Sequence, residues 1–378
     1  MPQQSAGAWT SVIPMSERIR VAVIFGGRSS EHEISCVSAG SVLRAIDRDK
    51  YEVVPIGITT KGQWVLEADT PQRLVAVDGV FPQVDSTNLA ILFTPDPSAK
   101  HFVVQSDVPH LLNQVDVVFP VLHGPWGEDG TIQGLLELAA LPYVGSGVFA
   151  SAAAMDKAHL KALMVAAKIP VGEFAVITDS QWQNSRDDVL ARIANLGLPL
   201  FVKPARAGSS LGISKVKTYG ELVAAIELAR THDPKVIVEA SIENAREVEC
   251  AVLSSAAGTK ASVCAEIIVR EGHDFYDFEA KYLDDSVDLV VPADLPAHLS
   301  EKVQQVAIQA FDAIGGEGLA RVDVFISGEE VLINEINTMP GFTPISMFPR
   351  MWAQSGLEYP ELIDTLIQDA LRRGVGLR

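Results

Sequence analysis

The stretch Glu317 to Thr343, EGLARVDVFISGEEVLINEINTMPGFT, constrains this chain more than any other. Two runs of alternating residues flank the turn Ser327-Gly328-Glu329-Glu330, the pattern of a β-hairpin. On the first run Ala320, Val322, Val324 and Ile326 share one face, which sends Arg321 and Asp323 to the other. On the second run strict alternation groups Val331, Ile333, Glu335 and Asn337 and sets Leu332 and Ile336 opposite. The hairpin thus projects a cation and a carboxylate from one strand, and a carboxylate and an amide from its neighbour. Hard oxygen ligands at such spacing suit Mg²⁺, which takes one or two carboxylates and completes its shell with phosphate oxygens and water. Arg321 beside them can hold a carboxylate or phosphate bidentately. Asn-Thr-Met-Pro-Gly then breaks the strand and offers free backbone N–H groups. Any one of these residues alone reads as a solvated surface group; five together point to a metal–phosphate site.

A chain of 378 residues exceeds a usual single core, so two or three domains are expected. Its net charge of −18 argues against nucleic acid or an anionic membrane as partner. Any phosphate must therefore be held by a few local lysines inside an acidic molecule. Cys36, Cys250 and Cys264 are too few and too scattered for a zinc site or a disulfide framework, and their apolar surroundings predict buried packing residues. No apolar run approaches a membrane span, and residues 1–16, a polar tail, lack the basic and apolar regions of a signal peptide. A soluble, cytoplasmic protein is expected.

In chain order, Arg20 to Phe25 is an apolar strand ending in Gly26-Gly27, with a helix predicted near Ser38 to Ile46. This is the opening of a doubly wound α/β domain. Glu31 and Glu33 crowd the mouth of that helix, where acidic groups also simply complement the dipole. Val115 to Leu122 is a second buried strand, ending in His123-Gly-Pro-Trp-Gly-Glu-Asp-Gly130, a ligand-facing loop at a strand's carboxyl end. A helix from Thr131 to Ala140 follows. One helix from Ala152 to Ala167 is predicted to carry Asp156, Lys157 and Lys161. Leu198 to Leu211, LPLFVKPARAGSSL, delivers Lys203 from a strand into a small-residue loop, a phosphate-clamping arrangement distinct from a P-loop. A helix is predicted over Val216 to Arg230 and a strand over Lys235 to Glu239. Between Arg270 and Val290 an irregular, aromatic-rich segment reads as a lid. Helices over Ser300 to Ile314 and Tyr359 to Leu371 complete the chain.

Taken in order, GGRSSEHEIS, HGPWGEDG, MDK, FVKPARAGSSLG, FYDFEAKY, ARVDVF and NEINTMPGFTPISMFP resemble the D-alanine–D-alanine ligases of the ATP-grasp superfamily. The resemblance runs from Arg20 to the final helix. It implies an α/β, three-domain ATP-grasp architecture: a Rossmann-like N-terminal domain over 17–150, a small central domain over 151–238 and a C-terminal domain over 239–378 with its lid at 270–290. ATP would lie between the last two, with Lys157, Lys203 and Ser210 at its phosphates, Glu239 on the adenine side, Glu247 at the ribose and Tyr276 in the lid. Asp323, Glu335 and Asn337 would hold two Mg²⁺ ions, or Mn²⁺ in their place, bridging the β- and γ-phosphates.

Further along the same resemblance, Glu31 would anchor the ammonium of the first D-alanine, linked through Ser209 to Tyr282, with His123 at that subsite. Lys281 would add charge at the γ-phosphate. Arg321 and the Gly341 N–H would stabilise the reacting oxygens, and Ser346 with Met347 would bind the second D-alanine. The implied product is D-alanyl-D-alanine for peptidoglycan precursor synthesis, and the implied assembly a homodimer. His32 and Ala207 stand where many relatives carry arginine and an acid, and the loop Glu243 to Arg246 is one residue longer than in some. Three other readings compete. Intact Lys281 and Tyr282 disfavour a D-alanine–D-lactate ligase more than a D-serine one. The complete cation and carboxylate set disfavours a non-catalytic nucleotide-binding module, and the missing G-x-G-x-x-G disfavours a dinucleotide-dependent oxidoreductase.

Overall fold

The computed structural model describes residues 18–77, 79–98, 102–104, 110–111, 115–269 and 287–376. The N-terminal tail and residues 270–286 of the expected lid, with Tyr276, Lys281 and Tyr282, lie outside them, whereas the last four lid positions, 287–290, form a strand.

The first sheet grows from β1 (Ile19–Gly26), buried from Val21 onward. β2 (Tyr51–Ile58) runs parallel to β1, and β3 (Trp64–Leu66) antiparallel to β2. After a small antiparallel sheet of β4 (Ile91–Phe93), β5 (Phe102–Val104) and β6 (His110–Leu111), β7 (Val117–Val121) returns parallel to β1. The order is β3-β2-β1-β7. A parallel strand buried on both faces reads as an unbroken apolar run, which is why RVAVIF was recognisable. Val21, Val23 and Phe25 pack towards α1 (His32–Ala45), whereas Ala22 and Ile24 pack towards α2 (Thr131–Leu138), so the sheet is covered on both sides. Helix α1 begins six residues before the predicted start. Its early serines look like loop residues, but they are buried hydrogen-bonding groups. The Ser35 hydroxyl accepts from the Gly26 N–H at 2.8 Å and donates to the Val121 carbonyl.

The predicted helix over Ala152 to Ala167 is two helices, α3 (Val148–Met155) and α4 (Lys157–Ala166). Asp156 interrupts them in an extended conformation and caps α4, its carboxylate accepting from the N–H groups of Ala158 at 3.1 Å and His159 at 3.2 Å. The second sheet contains β8 (Phe174–Ile177), β9 (Leu200–Pro204), β10 (Ser214–Val216) and β11 (Val236–Ala240) in the antiparallel order β10-β9-β11-β8. Its core is closed by α5 (Asp179–Asn184), α6 (Arg186–Ala194) and α7 (Leu222–Arg230). The helix expected from Val216 thus begins only at Leu222, after the edge strand and a short 3₁₀ turn.

The third sheet has five strands. It comprises β12 (Arg246–Ser255), β13 (Gly258–Val269), β14 (Val287–Val290), β15 (Leu319–Ser327) and β16 (Glu330–Asn337), ordered β14-β13-β12-β15-β16. One face is covered by α3, α4 and α8 (Ala297–Ala313), so α3 and α4 share the core of this sheet and not that of the second. The opposite face is divided. Leu319 and Leu253 lie under α9 (Met347–Gln354) and α10 (Tyr359–Arg373), while Arg321, Asp323, Glu247 and Glu249 face a cavity. All three cysteines are buried and unbridged, as expected.

Candidate active site

The hairpin β15–β16 supplies the centre of the site, with one correction to its register. Arg321 pairs with Asn337 and Asp323 with Glu335, but Val324 then pairs with Ile333, leaving Asn334 as an extra residue. This β-bulge resets the alternation. Val331, Ile333 and Ile336 therefore face the core, Glu335 faces the cavity beside Arg321 and Asp323, and Asn337 lies against Asp323. Strict alternation had grouped Glu335 and Asn337 with Val331 and Ile333, and had set Ile336 opposite them.

The Arg321 guanidinium forks onto Asp323, with Nε and Nη2 each 2.7 Å from a carboxylate oxygen, and its Nε lies 3.2 Å from Glu249 Oε1. Burial disfavours the charged guanidinium. Asp323 and Glu249 more than compensate and hold its pKa well above the ordinary arginine range. The Asn337 amide donates to Asp323 Oδ2 at 3.1 Å.

Across the cavity, β9 and β11 deliver Lys203 and Glu239, whose Nζ and Oε2 are 2.7 Å apart. Lys161, buried on α4, lies 3.2 Å from the other Glu239 oxygen. Burial alone would raise the Glu239 pKa, but the two ammonium groups lower it to about 2. The same burial lowers Lys161, with Glu239 only partly offsetting it, whereas in Lys203 the carboxylate wins and the pKa rises. Glu239 is thus placed among the lysine heads. Lys157 opens α4, its Nζ donating to the Ala207 carbonyl at 2.9 Å and approaching Glu335 Oε2 at 3.2 Å. Lys157, Lys203, Ser210, Glu239, Glu247, Arg321, Asp323 and Glu335 all line this cavity, of about 240 Å³.

The loop after β9 carries Ser209 and Ser210 at φ of 50° and 55°, an uncommon region for residues other than glycine. That geometry brings the Ser209 hydroxyl onto Glu31, to which it donates. Gly124 completes the corner: at φ 74°, any Cβ there would stand 2.5 Å from Glu31 Oε2.

His123 is buried with both ring nitrogens engaged, Nδ1 2.9 Å from the Met339 carbonyl and Nε2 3.1 Å from Ser38 Oγ. With Nδ1 donating to that carbonyl, Nε2 is the acceptor of the Ser38 hydroxyl. Burial pushes the imidazole pKa down against the pull of Glu31, so the neutral ring serves as a clasp between loops. Glu128 closes the clasp, its carboxylate accepting from the Met339 N–H at 3.2 Å and from the Gly124 N–H. Burial, with Glu31 adding like charge, raises the Glu128 pKa to about 8.

Gly341 and Ser346 lie together, Ser346 Oγ 2.8 Å from Thr343 Oγ1 and 3.1 Å from the Thr343 nitrogen. Met347 is buried in the core, which leaves its backbone N–H, in the first turn of α9, as the part able to meet a ligand.

Sequence reasoning named Lys161 on its helix and Glu128 in its loop without giving either a role, and did not single out Glu249. The spacing of Lys161, four residues after Lys157 and so on the same face of one helix, could have found the first. The alternation of Glu247 and Glu249 on β12 could have found the third. Among the described residues no three His, Cys, Asp or Glu side chains form a ready-made metal cage. Two carboxylates and an amide still fit Mg²⁺, which keeps most of its shell for phosphate oxygens and water.

Family models for the D-ala D-ala ligase N-terminus and C-terminus match residues 20–146 and 163–368. The chain is 51% identical to the D-alanine–D-alanine ligase of Streptomyces griseus, with 100% of this chain and 99% of that protein covered. It is 54% identical to the D-alanine–D-alanine ligase of Mycolicibacterium vanbaalenii, with 96% and 100% covered. Among solved structures, the VanG D-Ala:D-Ser ligase of Enterococcus faecalis superposes with a TM-score of 0.82 at 37% identity, covering 94% of this chain and 100% of that one. The D-alanine–D-alanine ligase of Coxiella burnetii gives 0.79 at 36%, with 95% of each chain covered. Matched over most of its length by both family models and by these relatives, the chain belongs to the D-alanine–D-alanine ligase family.

Proposed function

We propose that this protein joins two D-alanine molecules, driven by ATP, to give D-alanyl-D-alanine, ADP and phosphate for peptidoglycan precursors. The supporting observation is the meeting of Lys157 and Lys203 with Arg321, Asp323 and Glu335 around one cavity in an otherwise acidic chain. A carboxylate does not acylate an amine unaided. A carboxylate oxygen of the first D-alanine attacks the γ-phosphorus, ADP leaves, and the acyl phosphate so formed is open to the amine of the second D-alanine. That nitrogen loses a proton and bonds to the carbonyl carbon, and the tetrahedral intermediate expels phosphate.

Phosphoryl transfer asks the protein chiefly for position and charge neutralisation. Lys157 and Lys203 supply charge at the phosphates, with Ser210 beside them and Glu247 at the ribose. Glu239 holds Lys203 in place at 2.7 Å and meets the adenine side of the nucleotide. Asp323, Glu335 and Asn337 would hold two Mg²⁺ or Mn²⁺ ions, which would supply positive charge to the phosphates. Glu31, oriented by the Ser209 hydroxyl, binds the first ammonium, and the His123 clasp fixes the loop beside it. Arg321 and the Gly341 N–H stabilise the oxyanion, and Ser346 with the Met347 N–H takes the second carboxylate. The acyl phosphate hydrolyses readily, so water must be kept out. That task falls to the 270–290 lid, with Tyr276, Lys281 and Tyr282. We place the enzyme in the cytoplasm as a homodimer; no helix among the described residues is long and apolar enough to cross a membrane.

The test is phosphate release from ATP and Mg²⁺ with D-alanine, L-alanine, D-alanine plus D-serine, or D-alanine plus D-lactate, with products identified by mass. Release that needs only D-alanine, with D-alanyl-D-alanine formed, supports the proposal. Release that appears only when D-serine or D-lactate is added overturns the second substrate. Tight ATP binding without release overturns the reaction.

A further inference from the structure

Behind the loop His123–Gly130 lies a second cavity, of about 540 Å³, lined by none of the lysines that surround the first. It opens beside the carboxyl ends of β1 and β7, where open α/β sheets commonly take ligands. Its size falls within the range of small-molecule pockets. The walls are apolar: Trp64, Leu122, Ile132, Leu135 and Leu138, with the half-exposed Trp126.

Three features of the surrounding chain favour an occupant. Gly134 stands in the interior of α2, where glycine is the least favourable ordinary residue after proline. A Cβ built there would meet nothing within 4 Å, so no close packing demands a glycine, and its missing side chain leaves room in the cavity. Trp126 is held at φ 67°, a region bulky residues rarely adopt, with its N–H bound to Asp129 Oδ2 at 2.9 Å. Finally, the exposed Arg28 lies with its guanidinium 4.6 Å from the centre of the Trp126 ring and has no ion pair among the described residues, although the chain carries a net charge of −18.

We propose that this cavity is a binding site for a planar aromatic anion, its rings held among the tryptophan and leucine side chains and its charged group by Arg28. Apolar walls with one charged group at a stacked aromatic ring favour a flat ring system over an aliphatic acid, and the cation selects a carboxylate or sulfonate over a neutral arene. The site shares a wall with the ammonium corner, because Ser29 and His123 line it. The Ser29 hydroxyl donates to the His123 carbonyl at 2.7 Å and accepts from the Glu31 N–H at 3.2 Å.

Occupancy needs neither ATP nor D-alanine, so the test is independent of turnover. The probe is 8-anilinonaphthalene-1-sulfonate, followed by fluorescence, with N-phenyl-1-naphthylamine as the same ring system without the charge. Gly134→Leu projects a side chain into the space from a helical backbone and improves helix propensity, so it should fold with a Tm no lower than that of the parent chain. Wild type is expected to bind one sulfonate per chain, with affinity reduced at least tenfold in Gly134→Leu. Arg28→Gln should weaken the sulfonate about tenfold and leave the neutral probe unchanged. Sulfonate binding unaltered in a folded Gly134→Leu protein overturns the site. Equal binding of the two probes to wild type overturns the assignment of an anion.

Discussion

Replacing Glu239 by glutamine isolates one electrostatic element on which the lysine side of the cavity depends. The carboxylate is 6% exposed and bridges Lys161 at 3.2 Å and Lys203 at 2.7 Å, both of them also buried. Its pKa falls from the ordinary 4.5 to about 2, because the two ammonium groups outweigh the opposing effect of burial. That fall corresponds to roughly 3 kcal/mol of stability at neutral pH. Glutamine keeps the volume and one acceptor but removes the one carboxylate in contact with both buried cations, leaving them only the more distant Glu335 and, for Lys203, Glu247. Breaking a buried pair in this way costs about 3–5 kcal/mol, the same order. Because the folded pKa is depressed, the contribution is fully present above about pH 4.5 and is lost as pH falls through about 2. The stability gap between wild type and Glu239→Gln should be near 3 kcal/mol at pH 7, about half that near pH 3, and should close towards pH 2. Urea unfolding followed by tryptophan fluorescence and far-UV circular dichroism measures it, the two probes being required to coincide. A gap under about 1 kcal/mol at pH 7, or one that does not narrow between pH 5 and pH 3, would refute the claim that Glu239 is held ionised by the lysine pair.

Other perturbations address the remaining parts of the site. Arg321→Lys keeps a charge but loses the fork onto Asp323, and kcat is expected to fall about 10²–10³-fold with little change in KM for ATP; steady-state kinetics showing the loss mainly in KM would move Arg321 from the reacting oxygens to ground-state binding. Asp323→Asn should raise the Mg²⁺ concentration for half-maximal rate about tenfold, since Mg²⁺ prefers carboxylate oxygen; an unchanged Mg²⁺ titration would remove Asp323 from the metal set. Ser209→Ala deletes a hydrogen bond to the Glu31 carboxylate and should raise KM for the first D-alanine about tenfold or more while leaving KM for ATP unaltered. Burial lowers the His123 pKa, so its contribution to stability is present above the ordinary 6.5 and is lost as pH falls below it, when the unfolded chain binds the proton more readily. His123→Asn should therefore flatten the stability profile between about pH 6.5 and 5, and a profile as steep as that of wild type would contradict a neutral His123.

The strands β1 and β7 were legible because their physical environment leaves a signature in one dimension, whereas the short strands β3, β8 and β10 leave none and were not read. RVAVIF and VDVVFPVL are unbroken apolar runs because β1 and β7 are buried on both faces. The α3–α4 break was not legible by periodicity: Asp156 sits in a helical pattern, and only its carboxylate on the N–H groups of Ala158 and His159 shows that it ends one helix and starts another. The start of α1 was hidden for the opposite reason. Ser35 and Ser38 look like loop residues, yet their hydroxyls answer buried polar groups on β1, β7 and His123 that lie far away in sequence.

The site shows how residues that meet at one cavity can be grouped by an incomplete geometric argument. Period-two alternation along β16 carries Glu335 and Asn337 to the same face as Val331 and Ile333, and both of those valine and isoleucine side chains are buried. Strictly paired with β15, the strand would have pushed a carboxylate and an amide into the core beside Val324 and Ile326, at a desolvation cost of several kcal/mol. The fold avoids this with one unpaired residue, Asn334, which returns Ile336 to the core and turns Glu335 and Asn337 towards Arg321 and Asp323. A bulge of this kind is set by what each face must bury, and the first strand states that requirement clearly through Ala320, Val322, Val324 and Ile326. Reading the two strands together therefore locates the reset: a polar pair facing a polar pair demands an odd residue between Ile333 and Glu335, and Asn334 is the only one there.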